Sequence, residues 1–165
     1  MIRLNVLGFG IRIGKQTDID RCVPAWMSYP LQDCNQRISG KDILQICREH
    51  PNVFTNANYI FTDIEYKLVD VEHLKGWLEV DCTSSRQYIA NDHDCDDFAV
   101  SVHGHMTDWD PPLANAIVFA YTPNNIYHAF NAVVSTKREL VFFEPQNNAI
   151  LTNNDFWGVT HFMFL

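Results

Sequence analysis

Three residues in the second half of the chain could act together chemically: Cys95, His128 and Glu144. A thiol, an imidazole and a carboxylate supply a nucleophile, the base that takes its proton and the group that orients the base. Cys95 follows Asn91-Asp92-His93-Asp94 and precedes Asp96-Asp97-Phe98-Ala99-Val100. Asp94 is placed to cap a helix starting at Cys95, and Phe98, Ala99, Val102 and Met106 continue it at helical spacing. Backbone N–H groups and the dipole at a helix N-terminus favour a thiolate over a thiol. In that arrangement the Cys95 N–H forms half of an oxyanion hole and Asn91 the other half, with Gln146 in a supporting role.

The imidazole and the carboxylate must be brought together by a hairpin. Side chains alternate along a strand, so Ile126, His128, Phe130 and Ala132 share one face, as do Leu140, Phe142 and Glu144. Pairing Ala132 with Leu140 sets Phe130 opposite Phe142 and His128 opposite Glu144, with Cβ atoms about 4.5–5.5 Å apart. A one-residue slip would send the two groups to opposite faces.

Metal binding is a second chemistry open to the same region. Asp92, Asp94, Asp96 and Asp97 crowd one turn, and carboxylates are hard ligands suited to Ca²⁺. Their spacing is not that of an EF-hand, and helix N-termini attract Asp in any case. A zinc set would draw on His93, Cys95, His103 and His105, but the spacing of the last two suits a strand better than the helix expected there. Gly10-Ile11-Arg12-Ile13-Gly14-Lys15-Gln16-Thr17 resembles a phosphate loop only superficially. Three residues separate its glycines where four are needed, and Gln16 stands where a hydroxyl must hold magnesium.

Around these residues the chain divides into a helical part and a strand-rich part. Residues 2–13 read as a strand, with Gly8 and Gly10 marking a bulge or close approach. Residues 18–38 are irregular, broken by Pro24 and Pro30. A helix follows Ser39 as N-cap, with Asp42 three residues on and Pro51 ending it. A short strand fits 58–62. A second helix fits 70–80, capped by Asp70 and striped by Val71, Leu74, Trp77 and Leu78, with Gly76 its weak point. The helix from 94 to 106 stops before Asp110-Pro111-Pro112. Strands are expected at 115–121, 126–134, 139–144 and 158–165, so the fold class is α+β, with the helical N-terminal part packed on a C-terminal antiparallel β-sheet.

The chain has 165 residues, is 47% hydrophobic and carries a net charge of −8. This fits a single domain, residues 1–165, with a real core. The acidic balance argues against nucleic acid and anionic membranes as partners. No apolar run reaches the roughly 18 residues of a membrane span, and the N-terminus lacks the pattern of a signal peptide, so a cytoplasmic location is expected. The five cysteines, Cys22, Cys34, Cys47, Cys82 and Cys95, lack paired spacing, which fits reduced thiols.

The segments Asp94-Cys95-Asp96-Asp97-Phe98-Ala99, Tyr127-His128-Ala129-Phe130-Asn131 and Phe143-Glu144-Pro145-Gln146 resemble the family of the papain-like C-terminal domain of the Marasmius oreades agglutinin. The resemblance covers about 66–147 and leaves 1–65 an unassigned extension. It implies a papain-like fold and a cysteine protease or amidase with Cys95, His128 and Glu144 as its triad, acting on a peptide or protein with Ca²⁺ as an activating ion. The β-trefoil sugar-binding domain of the agglutinin is outside it, so lectin activity is not implied. Two alternatives use the same residues: a catalytically silent papain-like binding or inhibitor protein acting on a protein partner, and an acyl-transfer enzyme of transglutaminase or deamidase type.

Overall fold

The structure, a computed structural model, describes residues 2–6, 9–13, 24–54 and 56–165. The first strand expectation divides in two: β1 (Ile2–Val6) and β2 (Phe9–Ile13) form an antiparallel hairpin with Asn5 opposite Gly10, so Gly10 sits in a regular ladder. Gly8, Cys22 and the phosphate-loop-like stretch from Gly14 onward lie outside the described residues. A short 3₁₀ turn (Ala25–Ser28) buries Trp26.

Local signals start the helices where the sequence places them. After β3 (Arg37–Ser39), α1 (Gly40–Arg48) begins with the Ser39 hydroxyl accepting the Asp42 N–H at 3.2 Å. Pro51 does not simply end the helical region. It opens the one-turn α2 (Pro51–Phe54), as proline can at a first helical position. Then come β4 (Asn58–Phe61) and β5 (Glu65–Lys67), the latter paired with β3. Asp70 caps α3 (Val71–Val80), accepting the His73 N–H at 2.8 Å, and Leu74, Trp77 and Leu78 are buried. The long helix α4 runs from Cys95 to Trp109, almost a turn further than its apolar stripe suggests.

The strands that follow are β6 (Asn115–Tyr121), β7 (Tyr127–Val134), β8 (Leu140–Glu144), β9 (Ala149–Leu151) and β10 (Trp157–Phe164). With β4 they form a six-stranded sheet in the order β4-β10-β6-β7-β8-β9, antiparallel except for β4 beside β10. The mixed helix-and-strand class is as expected, but the helices do not lie on one side. One face of the sheet packs Val118, Phe130, Ala132 and Phe142 against Ile43 and Cys47 of α1 and Phe54 of α2. The other packs Val133 and Phe143 against Leu74 and Trp77 of α3 and Val102 and Met106 of α4. Both faces being covered explains why Ala129–Val134 are all buried, where a one-sided strand would alternate. Among the described residues no helix is long and apolar enough to cross a membrane.

Candidate functional site

The start of α4 is fixed by a reciprocal cap. The Asp94 N–H donates to Asp97 Oδ2 at 3.1 Å, while the Asp94 carboxylate faces the N–H of Asp97. The helix then follows its predicted stripe: Phe98, Ala99, Val102 and Met106 are buried. Two buried asparagines tie it to the sheet. Asn131 Nδ2 of β7 donates to the Ala99 carbonyl at 3.0 Å, and Asn115 Nδ2 of β6 to the His103 carbonyl at 3.2 Å. Cys95, half-buried at the N-terminus, packs against a small cluster of Ala99, Ile117 and Ala129.

The hairpin expected between β7 and β8 forms, with a different register. Ala132 pairs with Phe142 rather than Leu140, and Asn131 with Phe143. The slip is two residues, an even number, so His128 and Glu144 keep a common face and meet diagonally. His128 Nε2 and Glu144 Oε2 are 2.6 Å apart, with side chains 22% and 13% exposed. Burial pushes the His128 pKa down. The hydrogen bond with the Cys95 side chain, the hydrogen bond with Glu144 and the charge of that carboxylate outweigh it and raise it to about 9. With Nε2 occupied by Glu144, Nδ1 is the nitrogen left for the thiol. Cys95, His128 and Glu144 are therefore brought together.

The supporting residues act through their backbones. The Gln146 N–H donates to Glu144 Oε1 at 3.1 Å and holds the carboxylate from the side away from the imidazole. Asn91 is exposed, in the left-handed region at φ 64°, and its N–H donates to Asp94 Oδ2 at 3.1 Å. Tyr88 was not singled out by the sequence. It is half-exposed, and its phenol pKa is raised by slight desolvation and by the field of Asp94, Cys95 and Asp96, which places it beside the cluster. The irregular loop before Cys95 has no periodicity that would reveal it.

Of the possible metal ligands, Asp94, Cys95 and Asp96 bring one atom each within 4.8 Å of one another, the one such group among the described residues. Asp96 and Asp94 share a hydrogen bond that lowers the pKa of Asp94 and raises that of Asp96. Asp97 is engaged in the cap, and Asp92 is outside the group. The zinc set is scattered. His93 lies edge-on to Phe98, His103 is buried, and His105 Nδ1 is 2.7 Å from Asp81 Oδ1 and stacks on Trp26. A cavity of about 710 Å³ beside Tyr29, Gln32, Asp70 and His73 includes none of these cluster residues.

A family profile described as "Ricin-type beta-trefoil lectin C-terminal domain" matches residues 36–165. No curated protein matches the chain. Two similar solved structures each share 20% identity with it over 78% of its length. One is titled "PSL1a-E64 complex", with a TM-score of 0.69 and 51% of that chain covered. The other is a crystal structure of Polyporus squamosus lectin bound to the epitope Neu5Aca2-6Galb1-4GlcNAc, with a TM-score of 0.67 and 49% covered. The chain spans about half the length of these two structures. At this identity the likeness shows the fold. The lectin family and the lectin neighbours overturn the expectation of a cysteine protease or amidase hydrolase, together with its peptide substrate and its acyl-transfer variant. The triad spacing misled because a thiol, an imidazole and a carboxylate that hydrogen-bond one another are not specific to one function.

Proposed function

The chain belongs to the family described as the ricin-type beta-trefoil lectin C-terminal domain, and on that premise we propose that it works in carbohydrate recognition. The ligand cleft is the place where the N-terminus of α4 meets β7 and β8. The observation that carries this reading is the His128–Glu144 pair, 2.6 Å apart and partly exposed near the end of β7. Saccharides are held by convergent donors and acceptors. Glu144 keeps acceptor lone pairs beyond its bonds with His128 and the Gln146 N–H, and Cys95 and the Tyr88 phenol stand beside it. Asn91 and Gln146 set the loop and the carboxylate on either side. The neighbouring Polyporus squamosus lectin, bound to a sialylated trisaccharide, supports the ligand class.

In this reading residues 1–165 act as one domain, and α4 on β6–β8 has a papain-like arrangement used for binding. Asp94 and Asp96 fit a Ca²⁺ ion, since a cation would replace the proton their hydrogen bond requires. Bound there, the ion would supply positive charge beside the cleft.

The test is binding of the full chain to an array of neutral and sialylated oligosaccharides, with and without Ca²⁺. His128→Ala or Glu144→Gln should weaken binding about 10- to 100-fold, the cost of leaving a charged hydrogen-bonding partner alone. Absence of saccharide binding under every condition would remove the proposal.

A further inference from the structure

On the sheet face that carries Ala129 and packs near Cys95, the face opposite the one that carries His128, lies a set of rings that no motif announces. Tyr121 of β6 and Tyr127 of β7 stand opposite each other, with ring centroids 5.2 Å apart. Trp157 of β10 pairs with Tyr121 from the other side and stacks on it at 5.1 Å and 26°. Phe119 stacks on Tyr127 at 5.9 Å and also packs against the cluster that holds Cys95, which joins these rings to the cleft. We propose that Tyr121, Tyr127 and Trp157 form a stacking platform for the flat CH face of a neutral pyranose, extending the saccharide site. The proposal rests on the carbohydrate reading above.

The rings are exposed yet held in place. Trp157 is 48% exposed and Tyr127 46%. Trp157 Nε1–H donates to the Thr122 carbonyl at 3.1 Å. The Thr160 hydroxyl donates to the Phe119 carbonyl at 3.2 Å, so its 2.8 Å contact with Tyr127 is one in which the phenol donates. The Tyr127 oxygen therefore keeps its lone pairs for an incoming hydroxyl. A register shift in β10 between Trp157 and His161, with Gly158 at φ 55°, aims the indole over Tyr121. Rigid aromatic area of this kind contacts a ligand with little loss of conformational freedom. Single exposed rings are ordinary, but a contiguous fixed set on one face is a binding feature.

Charge selects the occupant. Residues 115–136 and 139–165, which contain all of these rings, include no Lys or Arg, and the chain carries a net charge of −8. The polar groups that touch the rings are the Thr122 carbonyl and the Thr160 hydroxyl, both uncharged. His128 is already paired with Glu144. The other imidazole near the rings, His161, lies edge-on to Phe119 with Nδ1 3.1 Å from the Thr160 hydroxyl, so among the described residues of these strands no Lys or Arg faces the rings to hold the carboxylate of a sialic acid, and the platform suits a neutral sugar.

The experiment titrates the full chain and its Trp157→Ala and Trp157→Phe variants with Galβ1-4GlcNAc and with its α2-6-sialylated form by calorimetry, after circular dichroism has shown that each variant is folded. The neutral disaccharide is expected to bind the wild type. Trp157→Ala should weaken it about tenfold or more, and Trp157→Phe, which keeps a ring, should restore most of the loss. Wild-type binding that Trp157→Ala leaves unchanged overturns the platform and leaves the cleft reading standing. Tighter binding of the sialylated form overturns the neutral ligand. No binding of either sugar by the wild type overturns the platform, and the array separates this from failure of the carbohydrate reading: binding there to other saccharides spares the reading, and silence there ends it.

Discussion

His128 Nε2 lies 2.6 Å from Glu144 Oε2 although the strands carrying them are not paired so that the two face directly. Continuing the ladder one step past Asn131 and Phe143 puts Glu144 beside Phe130, so the carboxylate reaches its imidazole along the diagonal of the sheet. That reach leaves Oε1 free for the Gln146 N–H. One carboxylate is thus fixed at both oxygens, and the ring it holds is turned with its other nitrogen towards Cys95.

The ionisation of His128 follows from this contact. Its folded pKa is raised from 6.5 to about 9, so the folded state holds the proton more tightly than the unfolded chain does. The stabilisation is present in full below about pH 6.5 and fades as pH rises through 9. An NMR titration of the ring should place its midpoint near 9, and Glu144→Gln should move it back towards the ordinary value. The same variant should cost about 1.5–3 kcal/mol of stability at pH 6. A wild-type ring that titrates at or below the ordinary value would show that the pair does not hold its charge.

The capping box makes Asp97 a structural residue of the α4 N-terminus. Asp97→Ala removes the acceptor of the Asp94 N–H and a negative charge from the first turn of α4. The expected cost is about 1 kcal/mol, seen in urea unfolding as a lower midpoint at constant slope. Asp97→Asn keeps an acceptor and should cost less. Equal losses in the two variants would mean that charge alone, not the hydrogen bond, holds the helix start.

The parts of this fold legible in the sequence are those fixed by local chemistry. Ser39, Asp70 and Asp94 each cap the helix they precede, and the stripe of α4 is buried as its spacing requires. The His128–Glu144 face survived an incorrect register because the error was even. What was not legible depends on distant pairing. The parallel addition of β4 to β10 joins Asn58 to His161, and no local pattern encodes that contact. The Tyr121–Tyr127–Trp157 surface draws on three strands, and its third member is aimed by an irregularity in β10. Function was misjudged for a related reason: Cys95, His128 and Glu144 meet as expected, but their geometry does not name a family, and the match over 36–165 does.

Gly76 weakened the helix expectation at 70–80, and the structure gives its reason for being there. A Cβ added at this position runs into the Tyr29 hydroxyl. Gly76→Ala would ordinarily gain about 1 kcal/mol in a helix interior, but here the clash should reverse the sign and cost about 1–3 kcal/mol. In a Tyr29→Phe background the hydroxyl is gone, and the alanine should become close to neutral. A double-mutant cycle by urea unfolding measures the coupling. Additive effects would show that Tyr29 is not what excludes the alanine.

Cys47 and Cys95 should behave as opposites towards a thiol reagent. Cys47 is 1% exposed in α1, and burial pushes its pKa up to about 12. Cys95 is half-buried at the start of α4, beside His128. Iodoacetamide should therefore label Cys95 in the folded protein and reach Cys47 only on unfolding. The Cys47 shift also has a stability consequence. The unfolded thiol loses its proton near 9 and the folded one near 12, so the unfolded state gains relative to the native one as pH climbs above 9. Cys47→Ala would remove that alkaline dependence together with the packing of the side chain, whereas Cys47→Val would remove the dependence and keep most of the packing. Mass-mapped labelling at pH 7 and urea midpoints between pH 7 and 10 check both points. Native labelling of Cys47 at the rate of Cys95 would show that α1 opens readily and that its burial against the sheet is weaker than the packing implies.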